Sequence, residues 1–85
     1  MQVSVDISLY PLHQDYIPRI DAFILLLNQE PNVQVVTNAL STQLYGEYET
    51  VMRLLARAMG DHMTIHDDSV FTIKVLNGDR SHQNG

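Results

Sequence analysis

The stretch Gln2-Val3-Ser4-Val5-Asp6-Ile7-Ser8-Leu9-Tyr10 alternates polar and apolar side chains without a break. Successive side chains of a strand point to opposite faces. Val3, Val5, Ile7 and Leu9 therefore form an apolar face, and Ser4, Asp6, Ser8 and Tyr10 a polar one. This is strand one. Pro11 has no N–H to donate and ends its ladder.

Working outward, Asp15 is a suitable N-cap, and Pro18 falls in the first turn of a helix, where its missing N–H costs nothing. Ile17, Ile20, Ile24 and Leu27 recur at helical spacing, widened by Phe23 and Leu26. The spacing predicts helix one over about residues 16–30, stopped near Pro31. Val33 to Asn38 is β-branched and short, hence strand two. Asn38-Ala39-Leu40 turns the chain into strand three, Ser41 to Tyr45, with Thr42 and Leu44 on one face and Ser41, Gln43 and Tyr45 on the other. Gly46 marks the exit. Glu47 opens helix two, where a carboxylate favours the positive end of the dipole.

Helix two is expected from Glu47 to Met59. Val51, Leu54, Leu55 and Ala58 share one face, and Gly60 is the C-terminal cap. Residues 61–68 read as a hydrophilic loop. Val70 to Leu76 is strand four. The order is strand, helix, strand, strand, helix, strand, the split βαβ or ferredoxin-like pattern of the α+β class. It implies one antiparallel sheet in spatial order 4-1-3-2 with both helices on one face. Residues 1–76 form the single domain, and 77–85, with no aliphatic residue after Leu76, form a flexible tail.

Composition bounds what such a domain does. With 85 residues the chain has room for one domain and a small core, so self-association is expected to help. A formal net charge of −5 disfavours nucleic acid and anionic membranes as partners. Cysteine is absent, which excludes disulfides, thiolate metal sites and cysteine nucleophiles. Met1 to Asp6 lacks the basic and apolar regions of a signal peptide, and the longest apolar run, Ala22 to Leu27, is far below a membrane span. The expectation is a soluble cytoplasmic protein.

Chemistry-bearing patterns are few. No nucleophile elbow or phosphate-cradling glycine loop occurs, and the scattered carboxylates nominate no acid–base pair. Asp61-His62-Met63-Thr64-Ile65-His66-Asp67-Asp68 is rich in ligand-type side chains, but a loop reading leaves its two histidines unaligned, so no metal or cofactor is expected. The sheet face away from the helices receives Ser4, Asp6, Ser8, Tyr10, Gln43, Tyr45, Thr72 and Lys74. Two readings stand: a solvated face with an Asp6–Lys74 cross-strand ion pair, or a polar ligand surface or subunit interface.

Two segments carry a resemblance. Ser8-Leu9-Tyr10-Pro11-Leu12 closes strand one. Leu40-Ser41-Thr42-Gln43-Leu44-Tyr45-Gly46-Glu47 runs into Tyr48-Glu49-Thr50-Val51-Met52. In order and placement the pair resembles the small thiamine/hydroxymethylpyrimidine-binding protein family, over about Val3 to Val75. The resemblance implies a cytoplasmic binding protein without catalysis, a homodimer or homotetramer formed through its sheets, and thiamine or its pyrimidine precursor as ligand. The motif residues it carries over are Ser8, Tyr10, Thr42, Gly46 and Glu47.

The candidate ligand residues are Asp6, Ser8, Tyr10, Asn38, Ser41, Thr42, Tyr45 and Glu47. The expected site is where the end of strand one meets the beginning of strand three. Glu47 lies at the opposite end of strand three, where it serves a neighbouring subunit's site or none. Aromatic faces at Tyr10 or Tyr45 suit a thiazolium cation, and an acidic molecule favours a cation. Hydroxyls on Ser8 and Thr42 and a carboxylate on Asp6 or Glu47 suit an aminopyrimidine edge. The rival from another class is a structural or regulatory homo-oligomer whose polar sheet face is a subunit interface; an enzyme is a third reading.

Overall fold

The computed structural model describes residues 1–82. Its elements are β1 (Gln2–Pro11), α1 (Tyr16–Leu27), β2 (Gln34–Thr37), β3 (Thr42–Glu47), α2 (Tyr48–Ile65) and β4 (Ser69–Asn77). The strands form one antiparallel sheet in the order β2-β3-β1-β4, with β1 and β3 in the centre. This is the α+β, ferredoxin-like arrangement that the alternation of β1 implies.

The register puts the apolar face of β1 where the alternation requires. Val3, Val5 and Ile7 are each 2% exposed and pack with Leu44 of β3, Phe23 and Leu27 of α1, and Val51, Leu54, Leu55 and Ala58 of α2. Burying an aliphatic side chain of this kind stabilises the fold by roughly 1.5–3 kcal/mol. A one-residue slip of β1 would exchange Val5 for Asp6 in that core, so the register is strongly fixed.

Helix ends differ from the sequence-based expectation. α1 stops at Leu27 because Asn28 closes it: both its backbone N–H and its side-chain Nδ2 donate to the Ile24 carbonyl, at 3.1 and 2.8 Å. Asp15 precedes α1 without a side-chain capping bond. Gly60 is not a cap. α2 runs through it to Ile65, so Asp61 to Ile65 is helix and not loop. The buried stripe Val51, Leu55, Ala58 continues to His62, which is 1% exposed, and that burial outweighs the cost of a mid-helix glycine of about 1 kcal/mol.

Gly46 is likewise inside an element. It pairs with Val3 in the β1–β3 ladder, and a Cβ there would lie 3.2 Å from Val51 Cγ2 and 3.4 Å from the Asn32 carbonyl oxygen. Space, not an unusual backbone angle, selects glycine.

The segment expected to fray after Leu76 is held at its start. Asn77 belongs to β4, and Gly78 N donates to the Gln2 carbonyl at 2.8 Å. Ser4 Oγ donates to the Gly78 carbonyl and accepts from Arg80 N, both at 2.8 Å, so the chain as far as Arg80 crosses the open sheet face over Ser4. Residues 83–85 of the expected tail lie outside the described residues.

Candidate functional site

β1 is longer than β3 can cover. The β1–β3 ladder ends at Ile7–Thr42, whereas the β1–β4 ladder continues to Pro11–Ser69. Beside the uncovered part, Ser8 to Pro11, a groove of about 460 Å³ opens between β1, α1 and the β2–β3 turn. That volume lies in the range of small-molecule sites. Tyr16, Ile20 and Phe23 line it from α1, Leu40 from the turn, and Tyr10 and Leu12 from the end of β1. Tyr10, Leu12, Tyr16 and Leu40 are 55, 67, 51 and 88% exposed, an apolar rim around the groove.

Five of the candidates from the sequence border this groove: Ser8, Tyr10, Asn38, Ser41 and Thr42. They do not share one sheet face. Ser8 and Tyr10 lie opposite Thr72 and Val70, on the face away from the helices. Thr42 lies opposite Ile7, on the helix-covered face, where it is buried and its hydroxyl sits 3.2 Å from that of Thr37. The groove wraps the sheet edge and reaches both.

Asn38 is committed to the turn. Its Oδ1 accepts from Leu40 N at 2.9 Å and Ser41 N at 3.1 Å, and its Nδ2 donates to Gln43 Oε1 at 3.0 Å. It therefore shapes the groove wall, its Oδ1 and one Nδ2 hydrogen committed to the turn. Ser41 Oγ and Gln43 Nε2 donate to Asp6 Oδ1, at 2.5 and 2.8 Å. Asp6 thus turns toward β3; the expected ion pair with Lys74, its neighbour on β4, is replaced by these neutral donors.

Asp6 and Tyr45 lie apart from the groove. They line a second depression of about 470 Å³ on the open sheet face, with Ser4, Gln43, Lys74, Leu76 and Arg80. Glu47 joins neither. Its Oε1 caps α2 by accepting from Glu49 N at 3.2 Å, and its Oε2 is 3.7 Å from the N-terminal ammonium. Opposite Gln2, it is seven residues from Leu9 along β1, or roughly 24 Å at the rise of a strand.

Of the two histidines of the 61–68 segment, His62 is buried in the core and His66, half-buried, caps the end of α2. The His62 ring lies 5.6 Å from Phe23 and 4.8 Å from His66, and its Nε2 is buried without a hydrogen-bond partner. Burial lowers its pKa below the usual histidine value, helped by repulsion from His66 and Arg19. Among the described residues no three metal-ligating side chains converge, and no helix is long and apolar enough to cross a membrane.

Sequence reasoning missed the α1 wall, because Ile20 and Phe23 read only as a core stripe and Tyr16 as a helix start. The signal available was length: ten residues in β1 against six in β3.

These features define a small ferredoxin-like domain with a ligand-sized groove at the open end of its central strand. Residues 2–77 match the YKOF-related family, and the chain belongs to it. Its fold is similar to that of a protein from Streptococcus pneumoniae, with 28% identity and a TM-score of 0.84 over 93% of this chain and 89% of that one. A candidate thiamine biosynthesis/salvage protein from Thermotoga maritima superposes at 0.82 with 18% identity, over 92 and 85% of the two chains. A domain of unknown function, DUF77, from Bacillus cereus superposes at 0.77 with 22% identity, over 93 and 78%. Among curated proteins none matches the chain in sequence.

Proposed function

We propose that this protein binds thiamine or its hydroxymethylpyrimidine precursor in the groove beside Ser8 to Pro11, without catalysis. The observation that carries the reading is the groove itself, a ligand-sized space walled by Tyr10, Tyr16 and Phe23 on a molecule of net charge −5. Aromatic faces hold a thiazolium cation or stack on a pyrimidine, and the acidic charge favours a cation over an anion. The resemblance of the Ser8–Leu12 and Leu40–Glu47 segments to thiamine-binding proteins supports the same ligand. The setting in this reading is cytoplasmic.

We also propose that the chain is a homodimer or homotetramer. β4 is a nine-residue sheet edge on which Val70, Ile73, Val75 and Leu76 are 45, 37, 49 and 49% exposed. A long apolar edge is a template for pairing with another chain. A purely structural oligomer would use this edge and leave the groove empty of function.

Thermal unfolding with and without thiamine separates the two. Ligand at ~100 times its dissociation constant stabilises the native state by ~2.7 kcal/mol, which raises the midpoint of a domain of this size by about 10 °C or more. An unchanged midpoint with thiamine, and with hydroxymethylpyrimidine in the same assay, favours the structural reading.

A further inference from the structure

Three main-chain hydrogen bonds fix which neighbour each residue of β1 faces. Gly78 N donates to the Gln2 carbonyl and Leu12 N to the Asp68 carbonyl, both at 2.8 Å, so even-numbered residues turn toward β4. Tyr48 N donates to the Met1 carbonyl at 2.9 Å, so odd-numbered residues turn toward β3. In an antiparallel sheet the N–H and C=O of one residue point to the same neighbour, and the direction alternates along the strand.

Val3, Val5 and Ile7 accordingly meet Gly46, Leu44 and Thr42. The next residue of that parity is Leu9, and continuing the register would set it against Leu40. Leu40 has left the ladder: its N–H is given to Asn38 Oδ1. Leu9 is only 9% exposed, yet its N–H and C=O face the groove with no hydrogen-bond partner among the described residues. A main-chain donor and acceptor that the ladder leaves unpaired on one residue beside a ligand-sized groove are open to a partner outside the chain.

We propose that the Leu9 main chain reads the ligand: its N–H donates to a ring nitrogen, and its C=O accepts from an adjacent N–H of a planar heterocycle. The chemical class is a ring edge with one acceptor next to one donor, as on a 4-aminopyrimidine. An extended peptide is disfavoured because the next open position of β1 is Pro11, which has no N–H, and the turn at Leu40 closes the other side. The inference rests on the groove being the ligand site and adds which atoms select the ligand.

The test replaces the Leu9 amide N–H by an ester oxygen through chemical synthesis of the chain. The β4 ladder does not use this N–H, so the sheet is expected to form. The probes are 4-amino-2-methylpyrimidine and its 4-dimethylamino analogue, which lacks the donor. The expected result is a loss of about five- to a hundredfold in affinity for the amino compound on ester substitution. The dimethylamino analogue, which leaves the Leu9 carbonyl without a donor, should bind wild type more weakly than the amino compound. Equal affinity of ester and wild type for the amino compound overturns the inference while leaving the groove as a binding site; no binding of the amino compound, thiamine or hydroxymethylpyrimidine to wild type overturns the proposed function along with it. Hydrogen exchange on the unmodified protein gives a second reading. The Leu9 amide should exchange faster than those of Ser8 and Tyr10 and slow when the pyrimidine binds; an unchanged rate in the saturated complex also overturns the inference.

Discussion

Thr42 faces Ile7 across the last rung of the β1–β3 ladder, and beyond that rung β1 continues with a neighbour on one side only. The mismatch in strand length creates the groove. The β2–β3 turn, tied by the Asn38 side chain, and the exposed start of α1 then wall it.

Tyr10→Ala and Tyr16→Ala should each weaken thiamine binding by about two- to thirtyfold, the equivalent of losing a cation–π contact of ~0.5–2 kcal/mol. Both side chains are half exposed, so melting temperatures should stay within a degree or two of wild type. Titration of each variant against thiamine, beside a thermal melt, checks both halves.

The two interior glycines should respond in opposite directions. Gly60 has nothing within 4 Å of a built Cβ and lies in an exposed helix interior, so Gly60→Ala should stabilise by about 1 kcal/mol. Gly46→Ala drives a methyl against Val51 and the Asn32 carbonyl and should destabilise by about 1–3 kcal/mol. Urea denaturation of the two variants reads both effects; a shared sign would contradict the packing described.

The same glycines show what was legible in the sequence. Strand alternation in Gln2 to Tyr10 settles the register because every second residue of the stretch is polar, and the core followed from it. Gly60 was misread because glycine ends many helices, and nothing local says that His62 two residues later will be buried against Phe23. The meeting of the β1 end with the β3 start was readable from topology alone, which is why Ser8, Tyr10, Ser41 and Thr42 fall at the groove. Asp6 and Tyr45 were drawn into the same set by sharing a face with Ser8, although they lie further along the sheet, and Asn38 reads identically whether its amide serves a ligand or a turn.

His62 should make the fold acid-sensitive. Its folded-state pKa is depressed by burial and by His66 and Arg19, so the unfolded chain takes up the proton more readily. The sign follows: stability is greatest above the unfolded histidine value of about 6.5 and falls as the pH drops through it toward the lower folded value. His62→Leu should flatten this slope between about pH 7 and 5 relative to wild type. Parallel denaturation series across that window test it, and identical slopes would remove His62 as the cause.

Light scattering at micromolar concentration tests the assembly. Two or four times the 9.7 kDa chain mass is expected, and Val75→Lys with Leu76→Lys on the exposed β4 edge should return the monomer. A monomeric mass for wild type removes the oligomer from the account.

The most direct measurement is titration calorimetry of the wild-type protein with thiamine and with hydroxymethylpyrimidine. The account predicts saturable heat with one site per chain for at least one of them, abolished or weakened by filling the groove with Ile20→Trp. Absence of heat with both compounds, at protein concentrations where the fold is intact, would contradict it.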